Sequence, residues 1–144
     1  MIGRGFCSVS SRCHPTQTCG RISRACARSG FRLVTLTNSG TAAIKAQLQN
    51  AGLANCFEES ISVDAVKRFK PHLAVYRTAA THLGAQPGEL RLIAAHAWDV
   101  YGAMRAGWRA AFVARQGIPL FPLAPKPDII GPALTAVTDA ILNG

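Results

Sequence analysis

Apolar and polar positions alternate in two distinct regimes along this chain, and the change falls near Gly30. From there on, short apolar runs take turns with helical repeats. Phe31–Thr37 is a β-rich run of the kind that forms a strand buried on both faces. A helix is predicted over Thr41–Ala51, with Ser39 as its cap, Ile44 and Leu48 on one face and Gly52 as its stop. A second strand falls within Phe57–Val63. Pro71 opens a helix that runs to Leu83 and ends at Gly84. Leu90–Ala95 is a third strand, Trp98–Ala106 a helix closed by Gly107, and Ala110–Ala114 a fourth strand. Residues 116–128 form a Pro-rich loop, and Pro132–Leu142 is a terminal helix. Strands alternating with helices predict an α/β fold of βαβ units: a mainly parallel sheet, three-layered and Rossmann-like.

Residues 1–29 have no sustained period of 2 or 3.6 and are rich in Arg, Ser, Cys and Gly. They are expected to be mostly disordered, apart from a folded unit at 30–144. Acid-free, Arg- and Ser-rich composition also fits a transit peptide. A third reading is a shifted frame. With GC-rich codons, Pro15–Ala27 read from one base before Thr16 would encode Asp-Ala-Asp-Val-Arg-Pro-His-Leu-Ala-Arg-Leu-Arg, a helical pattern leading into Phe31.

Composition bounds the rest. A chain of 144 residues with 49% hydrophobic content supports one domain with a modest core. It contains no apolar run of the roughly 20 residues a membrane span needs, so no membrane is expected as partner, and the expected location is the cytoplasm. The net charge of +9 at first suggests a nucleic-acid partner. However, six arginines lie in residues 1–32, where there is no acid, leaving only +3 on the remaining 112. Without interleaved aromatics or a binding module, no nucleic acid is expected. Cys7, Cys13, Cys19 and Cys26 lack the C-x-x-C spacing of zinc sites, and no signal-peptide core precedes them.

Ligands of such sheets bind at the carboxyl ends of the strands. Three polar clusters fall there: Thr37-Asn38 after the first strand, Lys70 ahead of a helix, and His96-Ala-Trp98-Asp99 after the third strand. An amide, an ammonium, an imidazole and a carboxylate around one edge can bind a small anion and manage a charged nucleophile. Each also has a plain structural role open to it, as cap, turn or solvated charge.

The order Leu36-Thr-Asn-Ser-Gly40, Ala51-Gly-Leu53, Ile61-Ser-Val-Asp64, Phe69-Lys-Pro71 with Val75-Tyr76, then Ala94-Ala-His-Ala-Trp-Asp99 with Gly102-Ala103 resembles the type II haloacid dehalogenases. These belong to the haloacid dehalogenase superfamily of α/β hydrolases, and the resemblance covers roughly residues 30–143. It implies hydrolysis of short 2-haloalkanoic acids through an aspartyl ester. Lys70 would neutralise and orient the nucleophilic aspartate. Thr37 and Asn38 would hold the substrate carboxylate and help accommodate the leaving halide. Asp99, with His96 nearby, would orient the nucleophile or the hydrolytic water, and Trp98 would help line the pocket. His96 departs from the family's more familiar Asn. No cofactor or metal is implied. Phosphatases of the superfamily carry a second acid where this chain has Ala95, and Mg²⁺ needs such hard oxygen ligands. The implied partner is a 2-haloacid, with homo-oligomerisation left open.

The same resemblance places the nucleophile near the amino terminus, in an Asp-x-x-Gly-Thr motif ending the first, central strand. This chain has no aspartate before Asp64. The helical cap that should separate that motif from Thr37-Asn38 is absent too. The expectation is therefore a truncated core lacking the central strand and the cap, inactive alone. The alternatives are a binding remnant completed by another chain, a phosphatase-like member of the same superfamily, and an enzyme using Cys56 or an amino-terminal cysteine as nucleophile.

Overall fold

The computed structural model describes residues 6–9 and 17–144. In chain order the elements are β1 (Phe6–Val9), α1 (Gln17–Arg28), β2 (Arg32–Thr37), α2 (Thr41–Asn50), β3 (Glu59–Ser62), α3 (Leu73–Leu83), β4 (Leu90–Ala94), α4 (Ala97–Arg105), β5 (Arg109–Val113), β6 (Ile129–Gly131) and α5 (Leu134–Asn143). All the strand pairings are parallel, in the order β3-β2-β1-β4-β5-β6. The chain steps outward from β1 to β3, then crosses to β4 and continues to β6. Helix α1 covers one face of the sheet and α3 and α4 the other, and α5 returns to the face of α1.

The α/β, three-layer, parallel architecture is the one the sequence predicts, but the gap expected at its centre is absent. β1 fills it, pairing Phe6–Val9 with Arg32–Thr35 on one side and with Leu90–Ile93 on the other. Phe-Cys-Ser-Val is too short to show a period, yet it combines an aromatic and a β-branched residue. Two apolar strands otherwise left with unpaired edges supply the rest of the drive.

The segment ahead of Gly30 also differs from expectation, because Gln17–Arg28 is helical. Its buried positions are Cys26 and the partly buried Ile22, one turn apart, packed with Phe31, Leu33, Val137 and Ile141. Free cysteine behaves as a small hydrophobe, so the helical period is hidden from any count that treats it as polar. Gly30 (φ 82°) lies in the turn from α1 into β2. The other parts of 1–29 lie outside the described residues.

Smaller boundaries shift as well. The cap of α2 is Gly40, not Ser39, and Asp64 rather than a local side chain accepts the Thr41 N–H at 3.0 Å. α3 starts at Leu73, with His72 Nδ1 accepting from the Ala74 N–H, so Pro71 lies two residues outside it. β6 was hidden in the stretch after the Pro-rich loop. None of the described helices is long and apolar enough to cross a membrane.

The main core lies between the sheet and α3/α4. Tyr76, Phe112, Leu92, Leu90 and Val100 are each at most 2% exposed there. Tyr76 and Trp108 meet edge to face, with ring centroids 5.8 Å apart.

Candidate active site

β2 and β4 flank β1 and run parallel to it, which puts Thr37-Asn38 and the loop after Ala94 at the same edge of the sheet. Lys70 reaches the same edge from the segment before α3. Its side chain is 2% exposed and that of Asp99 is fully buried. The ammonium donates to Asp99 Oδ2 at 2.6 Å and to the Leu36 carbonyl at 2.9 Å. Tyr76 donates its hydroxyl to Asp99 Oδ1 at 2.7 Å. Both carboxylate oxygens are therefore satisfied, which an ion pair buried this deeply requires. Burial, and then the neighbouring Asp99 charge, push the Tyr76 hydroxyl far above its ordinary pKa of 10.0, so it stays a donor.

The backbone around Lys70 is held by Asn38. The Lys70 N–H donates to Asn38 Oδ1 at 2.8 Å, and Asn38 Nδ2 donates back to the Lys70 carbonyl at 3.5 Å. Thr37, buried, accepts the Ser39 N–H through its Oγ1 at 3.0 Å. Ser62 Oγ donates to the Ser39 carbonyl at 2.9 Å, fastening the end of β3 to the same loop. Trp98 lies beside Lys70, its ring centre 5.9 Å from Nζ, and His96 lies 5.5 Å from Trp98, ring to ring.

Five of the six residues singled out from the sequence thus form one connected cluster through Lys70, Asp99, Asn38 and Trp98, with the His96 ring tilted against Trp98. Thr37 joins through the adjoining turn. Tyr76, the sixth residue after Lys70, received no role from the sequence. Its signal was the one-turn-in position on a helix that starts beside Lys70. Gly102 was equally silent. A Cβ there would lie 2.6–2.8 Å from Tyr76 and Pro71 atoms, so its missing side chain is what lets α4 approach α3.

Cys56 falls in the short turn just ahead of β3, at the amino-terminal edge of a parallel sheet. It is at the opposite end from Lys70, which removes it as the substitute nucleophile. The residues after β1, where the family motif would stand, read Ser-Ser-Arg-Cys-His in the sequence and lie outside the described residues. A divalent cation of the phosphatase type does not fit the donors described. Ala95 has no oxygen to offer, and both Asp99 oxygens are engaged by Lys70 and Tyr76.

Comparison with known proteins matches residues 15–107 to the haloacid dehalogenase-like hydrolase family, and the chain belongs to that family. It is 30% identical over 118 residues to haloacetate dehalogenase H-2 of Moraxella sp. (strain B), a match covering 82% of this chain and 53% of that protein. The chain spans about half the length of the curated relatives it matches. The crystal structure of L-2-haloacid dehalogenase from Xanthobacter autotrophicus with chloropropionic acid covalently bound superposes with a TM-score of 0.83 at 26% identity, covering 91% of this chain and 62% of that one. A solved chain from Listeria monocytogenes serotype 4b, of unassigned function, shares the fold from end to end. Its TM-score is 0.78 at 17% identity, with 96% of this chain and 97% of that one covered.

Proposed function

We propose that this chain carries the supporting half of a 2-haloacid dehalogenase site and releases no halide from 2-haloacids by itself. In this reading Lys70 is the cation that would balance a nucleophilic carboxylate, and Asp99 fixes that cation. Thr37, Asn38 and Trp98 shape the place of the substrate carboxylate, and His96 stands at the pocket rim.

The observation that carries the reading is an asymmetry. The Lys70–Asp99–Tyr76 assembly is buried and both Asp99 oxygens are engaged, yet the sequence holds no aspartate before Asp64 to serve as its nucleophile. Displacement of halide from an α-carbon needs a carboxylate to form the ester, and Asp99 is not free to do so. The Moraxella and Xanthobacter relatives named above support the substrate class. The engaged Asp99 and the apolar Ala95 weigh against the phosphatase alternative.

The test is halide release from 2-chloropropionate by the purified chain. No release above the protein-free blank is expected. Turnover that disappears in Lys70→Ala would overturn the reading. The nucleotide sequence across Pro15–Ser29 and upstream of it tests the separate proposal of a shifted frame. Stop codons in the alternative frame would end that proposal, whereas an Asp-x-x-Gly-Thr coding stretch about 100 codons upstream of Phe31 would support a truncated origin.

A further inference from the structure

An open groove of about 540 Å³ lies between the start of α3 and the end of α4. Its polar lining is His72, Arg77, Thr78 and Arg105, and its floor includes Pro71. No carboxylate is available to balance these cations. Every acid in the chain is accounted for elsewhere. Glu58 pairs with Arg32, Glu59 with His82, and Asp128 with Arg91. Asp64 caps α2, Glu89 accepts the Gln86 N–H, and Asp99 holds Lys70. Asp139 sits on α5, which covers the other face of the sheet.

The groove's donors are also unspent. Arg105 lies over the Tyr101 ring, its Cζ 5.8 Å from the ring centre, and has no hydrogen bond or ion pair among the described residues. His72 accepts the Ala74 N–H through Nδ1, so in that tautomer its proton is on Nε2 and is available to a ligand. Two guanidiniums, an imidazole N–H and a hydroxyl around one concavity match the oxygens of a compact anion.

We infer that this groove binds a small, multiply charged oxyanion: inorganic phosphate or a phosphomonoester whose organic part uses the remaining volume. The site is separate from the Lys70 cluster and the inference does not depend on the dehalogenase reading. Bound there, the anion bridges α3, which follows Lys70-Pro71 and carries Tyr76, to α4, which carries Asp99. Occupancy therefore tightens the two helices that hold the buried ion pair.

The experiment is a titration of the full chain with inorganic phosphate at constant ionic strength, balanced with sodium chloride, followed by calorimetry and by thermal unfolding. Saturable binding with a rise in Tm that chloride does not reproduce is expected. Arg77→Gln and Arg105→Gln should each weaken the affinity by roughly tenfold or more, since each removes charge-assisted hydrogen bonds. Both residues are exposed, so the variants should fold, and their far-ultraviolet spectra check this. Lys126→Gln, outside the groove, should bind as the parent does. Absence of saturable binding, binding undiminished by either arginine substitution, or equal weakening by Lys126→Gln would each overturn the assignment.

Discussion

Behind the sheet, α1 and α5 cover Leu33, Ile93, Ala111 and Val113 with Ile22, Cys26, Val137 and Ile141, an apolar layer without a buried charge pair among its described residues. In front, α3 and α4 cover Leu36, Leu90, Leu92 and Phe112 with larger side chains, and the same helices carry Tyr76 and the fully buried Asp99 against Lys70. A core that buries an ion pair needs its charges hydrogen-bonded; here Tyr76 donates to the carboxylate, the Leu36 carbonyl accepts from the ammonium, and Asn38 holds the Lys70 backbone. The back face only has to fill space. Apolar packing tolerates substitution more readily than a buried charge does, so the two faces should answer mutation differently.

The largest effect is expected from Lys70→Ala. It strands the Asp99 carboxylate in the core with one hydroxyl donor and should lower unfolding stability by about 3–5 kcal/mol. The double variant Lys70→Met/Asp99→Leu removes both charges and should cost clearly less than the single one. Chemical denaturation of both would decide it. A double variant as unstable as the single would mean that packing, not charge, dominates this face.

Gly102→Ala comes next, at about 1–3 kcal/mol of overpacking. The added methyl must push either the Tyr76 hydroxyl or Pro71, and the former is the hydrogen bond that completes Asp99. Loss of stability together with a weakened Tyr76–Asp99 contact in a crystal structure of the variant is the expected result. An unchanged denaturation midpoint would show that α4 can slide away from α3 at little cost.

The front face was also the more legible of the two in the sequence. Lys70, Asp99, Asn38 and Trp98 could be placed on one edge because strand ends and helix starts are marked by turn residues and by the order of short motifs. What could not be read was the set of partners 23 to 34 residues away that complete each charge, since Tyr76 and the Leu36 carbonyl carry no local signature. The back face failed for a different reason. α1 presents cysteine and isoleucine among arginines, and β1 has only four residues, so neither gives a countable period. Both elements are specified by the sheet that receives them more than by their own composition.

Cys26→Ala probes that back face on a smaller scale, at about 1 kcal/mol for the lost sulfur-sized volume. Burial raises the Cys26 thiol above its ordinary 9.0 despite an opposing backbone hydrogen bond. A raised folded pKa means the stabilisation is complete below about pH 9 and fades as pH climbs through the folded value. The alanine variant should therefore lose less stability than the parent between neutral pH and alkaline pH. Identical alkaline slopes would mean that Cys26 is not shielded where α1 packs against the sheet and α5.

The smallest effect belongs to a pair outside both faces, Arg32 with Glu58. Here the guanidinium grips both carboxylate oxygens, with Nε at 3.1 and 2.9 Å, yet the two side chains are 40% and 48% exposed. The arginine hydrogen bonds hold Glu58 below its ordinary 4.5. With the folded pKa depressed, the pair stabilises above the unfolded carboxylate's pKa, and that contribution is lost as pH falls through the folded value. Solvent and salt screen it throughout. Glu58→Gln should leave the neutral denaturation midpoint almost unmoved and slightly flatten the acid limb below about pH 5, with even that difference disappearing at about 0.5 M salt. A large change in the acid limb on Glu58→Gln that survives at high salt would show that exposure does not screen this pair.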